Sequence, residues 1–256
     1  MSEARELRTT CNRDCPDSCG VIATVEEGRI VSHRGDPAHA ITKGVLCPRG
    51  NEYLRRFYHP QRILHPLRRN KGGFGPMAWD DALDLIAERL LAIKEQEGPR
   101  AVLAARYSGI KGLVAKAHWR RFWAHFGGAT YLSGGTSVEA ALHAQELDFG
   151  ADATHSPQDL ENSRAVVVWG KNIEITRPHG MAFVRQAMKK GAELHVIDPL
   201  RCATAAKATA HYPLRPGSDG YLALGIGRLL LERGSIDRPF IEQHCEAFAA
   251  YSALLR

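Results

Sequence analysis

Four cysteines constrain this chain more than any other feature. Cys11-Asn-Arg-Asp-Cys15-Pro-Asp-Ser-Cys19 places three thiols within nine residues, and Cys47 follows after a gap of 27. The charged start, Met1-Ser-Glu-Ala-Arg-Glu, has no secretory signal, and no twin-arginine motif precedes the first cysteine, so the expected compartment is the cytoplasm. Disulfides are rare there, and grouped cysteines point to metal. Four thiolates suit either tetrahedral zinc or an iron–sulfur cluster. Zinc sites usually come as two short knuckles of paired cysteines. Here three ligands crowd one loop and the fourth is remote, which suits a larger body wrapped by a loop and held by a distant anchor. Asn12, Asp14, Pro16, Asp17 and Gly20 are polar or tight-turning and release backbone N–H groups toward the sulfurs. The spacing points to a [4Fe-4S] cluster on Cys11, Cys15, Cys19 and Cys47, ahead of structural zinc and of reduced structural thiols. Cys202 and Cys245 stand alone and are read as small buried hydrophobes without a role.

With 44% hydrophobic and 24% charged residues, the 256-residue chain reads as a globular protein, and no apolar run approaches the ~20 residues of a membrane span. The net charge of +6 fits a phosphate-bearing ligand, an acidic partner or simply a solvated surface. The densest basic run, Arg55 to Lys71, lacks the pattern of a nucleic-acid binder and reads as a connector.

The rhythm of the chain changes near residue 58. Before it lies a cysteine-bearing, strand-poor domain, 1–58, with one hairpin: Val21–Val25 and Arg29–His33 around a Glu26-Glu-Gly28 turn. A short helix is expected after Cys47, and Asn70–Pro76 is read as a loop. From 59 to 256 strands alternate with helices. Helices are expected from Asp80, with Leu83, Ile86, Ala87, Leu90 and Ile93 inward, and over Lys111–Phe126, Pro178–Lys190 and Asp219–Arg233 and from about Arg238. Apolar strands are expected at Ala101–Ala105, Arg164–Trp169 and Glu193–Ile197. The fold class is therefore α/β: a small N-terminal iron–sulfur domain with a β-hairpin, then a doubly wound, mostly parallel sheet covered on both faces.

Ligands of open parallel sheets bind beyond the carboxyl ends of the strands. Three loops qualify: Trp169-Gly170-Lys171-Asn172, Asp198-Pro-Leu-Arg201 and Leu214-Arg215-Pro-Gly217-Ser-Asp219. Gly170 and Gly217 permit close approach to a phosphate. Lys171, Arg201 and Arg215 supply positive charge, while Asn172, Asp198 and Asp219 suit a base or ribose edge. Asp219 alone also reads as a helix cap. No G-x-G-x-x-G is present, so a nicotinamide cofactor is not indicated.

The cysteine spacing, with "CPDSCG", "GRIVSHRGDPAHAITKGVLCPRG", "WGKN", "VIDPLRCATA" and "LRPGSDGYLALG", resembles the N-terminal half of the dimethyl sulfoxide reductase superfamily, from about residue 9 to 245. The resemblance implies molybdenum or tungsten carried on two molybdopterin guanine dinucleotides, beside the [4Fe-4S] cluster. It implies an oxidoreductase passing electrons between a small substrate and that cluster. Two alternatives remain: a pterin-free electron-relay subunit, and a non-redox tungsten hydratase. Arg49 is implied as the cation between cluster and pterin. Ser137 is implied as the metal's protein ligand. It also reads as a cap of a helix starting near Val138, and the ligand position could instead fall at Ser133 or Thr136. Expected partners are an external electron carrier or iron–sulfur subunit, with a second chain completing the fold. Nucleic acid and membrane are not expected partners. Family members are several-fold longer, so the chain is expected to be a fragment, a truncated gene or half of a split enzyme. Alone it is expected to lack turnover, with an apolar face of its last helix uncovered.

Overall fold

The computed structural model describes residues 3–13, 15–106, 112–135, 138–151 and 154–255. The chain divides into two compact units, Met1–Pro157 and Gln158–Arg256.

The first unit opens on an antiparallel sheet of β1 (Arg5–Thr10), β2 (Gly20–Glu26) and β3 (Arg29–Gly35), with β2 in the centre. The expected β2–β3 hairpin is present. Its two turn residues, Glu27 and Gly28, both take positive φ, as a tight two-residue turn between twisted strands requires. β1 was not expected. Its residues, Arg-Glu-Leu-Arg-Thr-Thr, are all exposed and show no apolar alternation, so nothing marks them as a strand until β2 supplies a ladder. Gly20, Val21, Ile22 and Ala23 of β2 are buried and form the heart of this sheet.

Two short helices follow, α1 (Pro48–Asn51) and α2 (Tyr53–Phe57). Residues 70–76 correct the sequence reading. Instead of a loop, β4 (Leu67–Asn70) and β5 (Gly73–Pro76) pair as a hairpin, with the Asn70 side chain accepting from the Gly72 N–H at the turn. Its arginines and glycines carry no strand signal of their own. α3 (Trp79–Glu97) then runs to Gly98 at φ 83, but its apolar residues are not enclosed by this chain: Leu83, Ile86 and Leu91 stay more than half exposed. β6 (Leu103–Ala104), shorter than expected, pairs in parallel with β7 (Thr130–Tyr131) across α4 (Leu113–Phe126), and α5 (Val138–Phe149) follows.

The second unit holds a parallel sheet in the order β10-β9-β8, from β8 (Ala165–Trp169), β9 (Glu193–Ile197) and β10 (Ala210–Tyr212). Between β8 and β9 lie α6 (Ile173–Thr176) and α7 (Pro178–Lys189). Val166 and Val168 of β8 and Leu194 and Val196 of β9 pack with Met181 and Val184 of α7 into one core. Covering is one-sided: Val167, on the opposite face of β8, is 58% exposed. α8 (Asp219–Glu232), α9 (Arg238–His244) and α10 (Phe248–Leu254) end the unit. The α/β class is as expected, with its parallel pairing split between a two-stranded and a three-stranded sheet.

Candidate functional site

The four-cysteine set is built on the ladder of the first sheet. Cys11 directly follows β1 and Cys19 directly precedes β2, and the Cys11 N–H donates to the Cys19 carbonyl at 2.8 Å. The bond extends the β1–β2 ladder by one step and closes a loop with Cys15 at its apex. Ser18, at φ 42, turns the chain back toward β2. Asp17 is buried. Burial pushes the Cys15 thiol up, a backbone hydrogen bond at Asp17 opposes this, and the nearby Asp17 and Cys19 charges push it further up. A cationic centre would remove that penalty by replacing the proton.

Cys47 arrives by a different route. The segment after β3 crosses close over it: a Cβ on Gly35 would lie 2.2 Å from the Gly44 carbonyl oxygen, so only glycine fits there. His39 Nδ1 accepts from the N–H of the buried Thr42 and lies 3.0 Å from its Oγ1, fixing the bend. Cys47 then caps α1, its Sγ accepting from the Gly50 N–H at 3.4 Å. The His33 ring bonds the Gly50 carbonyl at 2.8 Å and ties α1 to β3. Tyr53 of α2 reaches the other cysteine segment, with its hydroxyl 2.8 Å from Asn12 Oδ1 and 3.7 Å from Cys11 Sγ. Burial, and then the Cys11 thiol, push this phenol up to about 12. Sequence reasoning missed Tyr53 and His33, because an aromatic or polar residue near a cysteine carries no periodic signal.

The donor set fits an iron–sulfur cluster. All six cysteines are free of disulfides. Among the described residues no three His, Cys, Asp or Glu side chains gather closely enough to hold a single ion. A loop with a remote anchor suits a broader body. Arg49 is exposed on α1, two residues past Cys47.

In the second unit the three expected loops leave one edge of the sheet. Trp169 pairs with Ile197, and Ile197 with Tyr212, so the carboxyl ends are in register. Gly170 takes φ 61 and its N–H donates to the Ile197 carbonyl at 2.8 Å. Asn172 Oδ1 accepts from the fully buried Thr204 hydroxyl, which also accepts from the Glu174 N–H, so the first two loops share a buried knot. Asp198 turns its own loop by accepting from the Leu200 N–H, and its carbonyl meets His211. The third loop turns at Gly217, φ 84, with the Ser218 hydroxyl on the Arg215 carbonyl. The Trp169 indole N–H donates to Asp219 at 2.6 Å, clasping the first loop to the start of α8. Trp169 and Asp219 thus already hold each other. Lys171, Arg201 and Arg215 are exposed. Thr204 lies inside the "VIDPLRCATA" stretch, but a small hydroxyl there gave no reason to single it out. Ser137, the expected metal ligand, and Thr136 lie outside the described residues.

Behind these loops Glu174 receives Arg185 at 2.6 Å and Lys207 at 2.7 Å. Burial opposes its ionisation, but the Lys207 hydrogen bond and the two positive charges prevail and hold the carboxyl below the usual range.

Known proteins match along both parts. The family model described as molybdopterin oxidoreductase Fe4S4 domain matches residues 4–59, and that described as molybdopterin oxidoreductase matches residues 62–242. Probable oxidoreductase YyaE of Bacillus subtilis (strain 168) is 37% identical over 249 residues, 97% of this chain and 37% of that protein. Putative dimethyl sulfoxide reductase chain YnfE of Escherichia coli (strain K12) is 29% identical over 269 residues, 97% of this chain and 33% of that one. Acetylene hydratase from Pelobacter acetylenicus shares the fold, with a TM-score of 0.76 and 24% identity over 97% of this chain and 35% of its own. The chain thus spans about a third of the length of the curated relatives it matches. Among the described residues no helix is long and apolar enough to cross a membrane. The chain belongs to the molybdopterin oxidoreductases of the dimethyl sulfoxide reductase superfamily, and corresponds to their N-terminal, Fe4S4-bearing part.

Proposed function

We propose that this chain is the N-terminal part of a redox enzyme carrying molybdenum or tungsten on two molybdopterin guanine dinucleotides, with electrons passing between a small substrate and a [4Fe-4S] cluster on Cys11, Cys15, Cys19 and Cys47. The observation that carries the reading is a ladder-closed loop bearing three cysteines, with a fourth cysteine capping α1, all four outside any disulfide. When bound, the metal and pterin supply the electron-transfer chemistry. The chain's own residues bind and orient. Lys171, Arg201 and Arg215 neutralise phosphate charge, and Gly170 and Gly217 let the backbone approach the phosphate closely. The Asn172 amide and Asp198 carboxylate suit a guanine or ribose edge. Trp169 and Asp219 hold the outer loops together. Arg49 places positive charge between the Cys47 thiolate and an anionic pterin. Ser137 supplies the metal's protein ligand, a hard oxygen donor suited to an oxidised metal. An electron carrier or iron–sulfur subunit completes the circuit, with a second chain where the remaining domains are separate.

The test is anaerobic purification of the whole protein in which this chain occurs. Molybdenum or tungsten, fluorescent oxidised pterin, and about two guanine nucleotides per metal, the count implied by a bis-dinucleotide cofactor, support the reading when a reduced viologen dye is oxidised by an S- or N-oxide. Iron without pterin would replace it with an electron-relay subunit. Metal and pterin with turnover that needs no electron donor would replace it with a hydratase. Changing Ser137 to Ala should alter the metal's X-ray absorption while leaving iron content unchanged.

A further inference from the structure

Tyr53 sits where the two cysteine-bearing segments meet. Its ring belongs to α2, six residues past Cys47, and its hydroxyl lies 3.7 Å from Cys11 Sγ and 2.8 Å from Asn12 Oδ1. A phenol has one proton and cannot donate to both. With Cys11 as a ligand its sulfur is a thiolate, which only accepts. The proton then turns to the sulfur, and the Asn12 amide, rotated by half a turn, donates its NH2 to the phenol oxygen. Amide orientation follows the hydrogen-bond network, so this rotation needs no movement of heavy-atom positions. A phenol that accepts one hydrogen bond donates the next more strongly.

We propose that Tyr53 is a positioning residue for the iron–sulfur centre: its O–H donates to the Cys11 thiolate, raising the reduction potential of the cluster while pinning α2, which follows the Cys47-capped α1, to the Cys11 loop. The inference rests on the cluster reading above. A donor on a ligand sulfur withdraws charge and favours the more negative, reduced state, so the potential rises. The chain has a built-in control. Tyr58, on the same side of the sequence, spends its hydroxyl accepting from the Ile30 N–H at 3.0 Å, under the Arg29 guanidinium.

The experiment is an EPR-monitored redox titration of the full-length protein, purified anaerobically, with iron counted on each sample. Tyr53→Phe should keep its iron and show a lower potential, while Tyr58→Phe should match the wild type. Fluorotyrosine placed at position 53 keeps the shape but is a stronger donor, and should move the potential upward. If Tyr53→Phe fails to retain iron, the fluorotyrosine protein decides alone. A wild-type potential in the fluorotyrosine protein, or in iron-replete Tyr53→Phe, overturns the inference. Absence of iron from the wild type overturns the cluster reading itself, and this inference falls with it.

Discussion

The antiparallel sheet β1–β3 and the parallel sheet β8–β10 have equal strand numbers but are held by different forces. In the parallel sheet, Leu194 and Val196 are wholly buried with Met181 and Val184, a hydrophobic core that closes on itself. In the antiparallel sheet the buried residues, Val21, Ile22, Ala23 and Cys19, are less completely enclosed, and the end of the sheet is tied by single polar contacts: Cys11 to Cys19, His33 to Gly50, Tyr53 to Asn12. One sheet is stabilised by packed area. The other carries the four cysteines in the loop and helix beside it, so on the proposed reading its stability depends on the cluster they bind. Stability in the chain is therefore uneven, and each region should fail on its own terms.

The largest expected effect breaks the first region alone. Cys47→Ser should abolish cluster retention and speed amide hydrogen exchange over residues 11–19 and 48–57, while exchange in β8–β10 stays as in the wild type. Equal loosening of both sheets would show that the comparison is wrong. The converse change is Leu194→Ala, which empties a fully enclosed site and should cost about 2–5 kcal/mol in denaturant unfolding of the second unit. Iron content should not change.

Glu174 sharpens the comparison, because it is the ionic member of an otherwise apolar region. Its folded-state carboxyl lies below the usual glutamate range, so its contribution is fully present above the unfolded value of ~4.3 and is lost as pH falls through the lowered folded value. Glu174→Gln should therefore lower stability by about 1 kcal/mol near neutral pH, a partly exposed ion pair's worth. In urea titrations that gap should close as pH drops below ~4. A gap independent of pH would mean that the Arg185 and Lys207 contacts act through packing only. Smallest is Trp169→Phe, which removes the exposed indole donor to Asp219 and should cost about 0.5 kcal/mol, the low end for a hydrogen bond, read as a modest fall in melting temperature.

Legibility in the sequence followed the same division. β8, α7 and β9 stand almost where periodicity put them, because their apolar runs are long and their own packing decides them. The β2–β3 turn was legible because Gly28 needs positive φ. β1 and the β4–β5 hairpin were not, since charged residues and glycines become strands there only through partners. At the site, the cysteines and the three carboxyl-end loops were visible as residue types at telling positions. What joins them was not. Tyr53 on Asn12, Thr204 on Asn172 and Trp169 on Asp219 link residues 41, 32 and 50 positions apart, and no local pattern encodes such contacts. The enclosure expected for α3 and for the second face of β8 also failed to appear, because apolar sequence states a need for cover without naming its source.

The central claim is that Cys11, Cys15, Cys19 and Cys47 hold one [4Fe-4S] cluster. Iron and acid-labile sulfide should be counted on anaerobically purified wild type and on each single Cys→Ser variant, with EPR of the reduced samples. About four irons and four sulfides per chain in the wild type, with a reduced-cluster signal lost or severely altered in each of these four variants but intact in Cys202→Ser and Cys245→Ser, is the expected result. Stoichiometric zinc without iron, or a cluster indifferent to loss of any of the four, would contradict it.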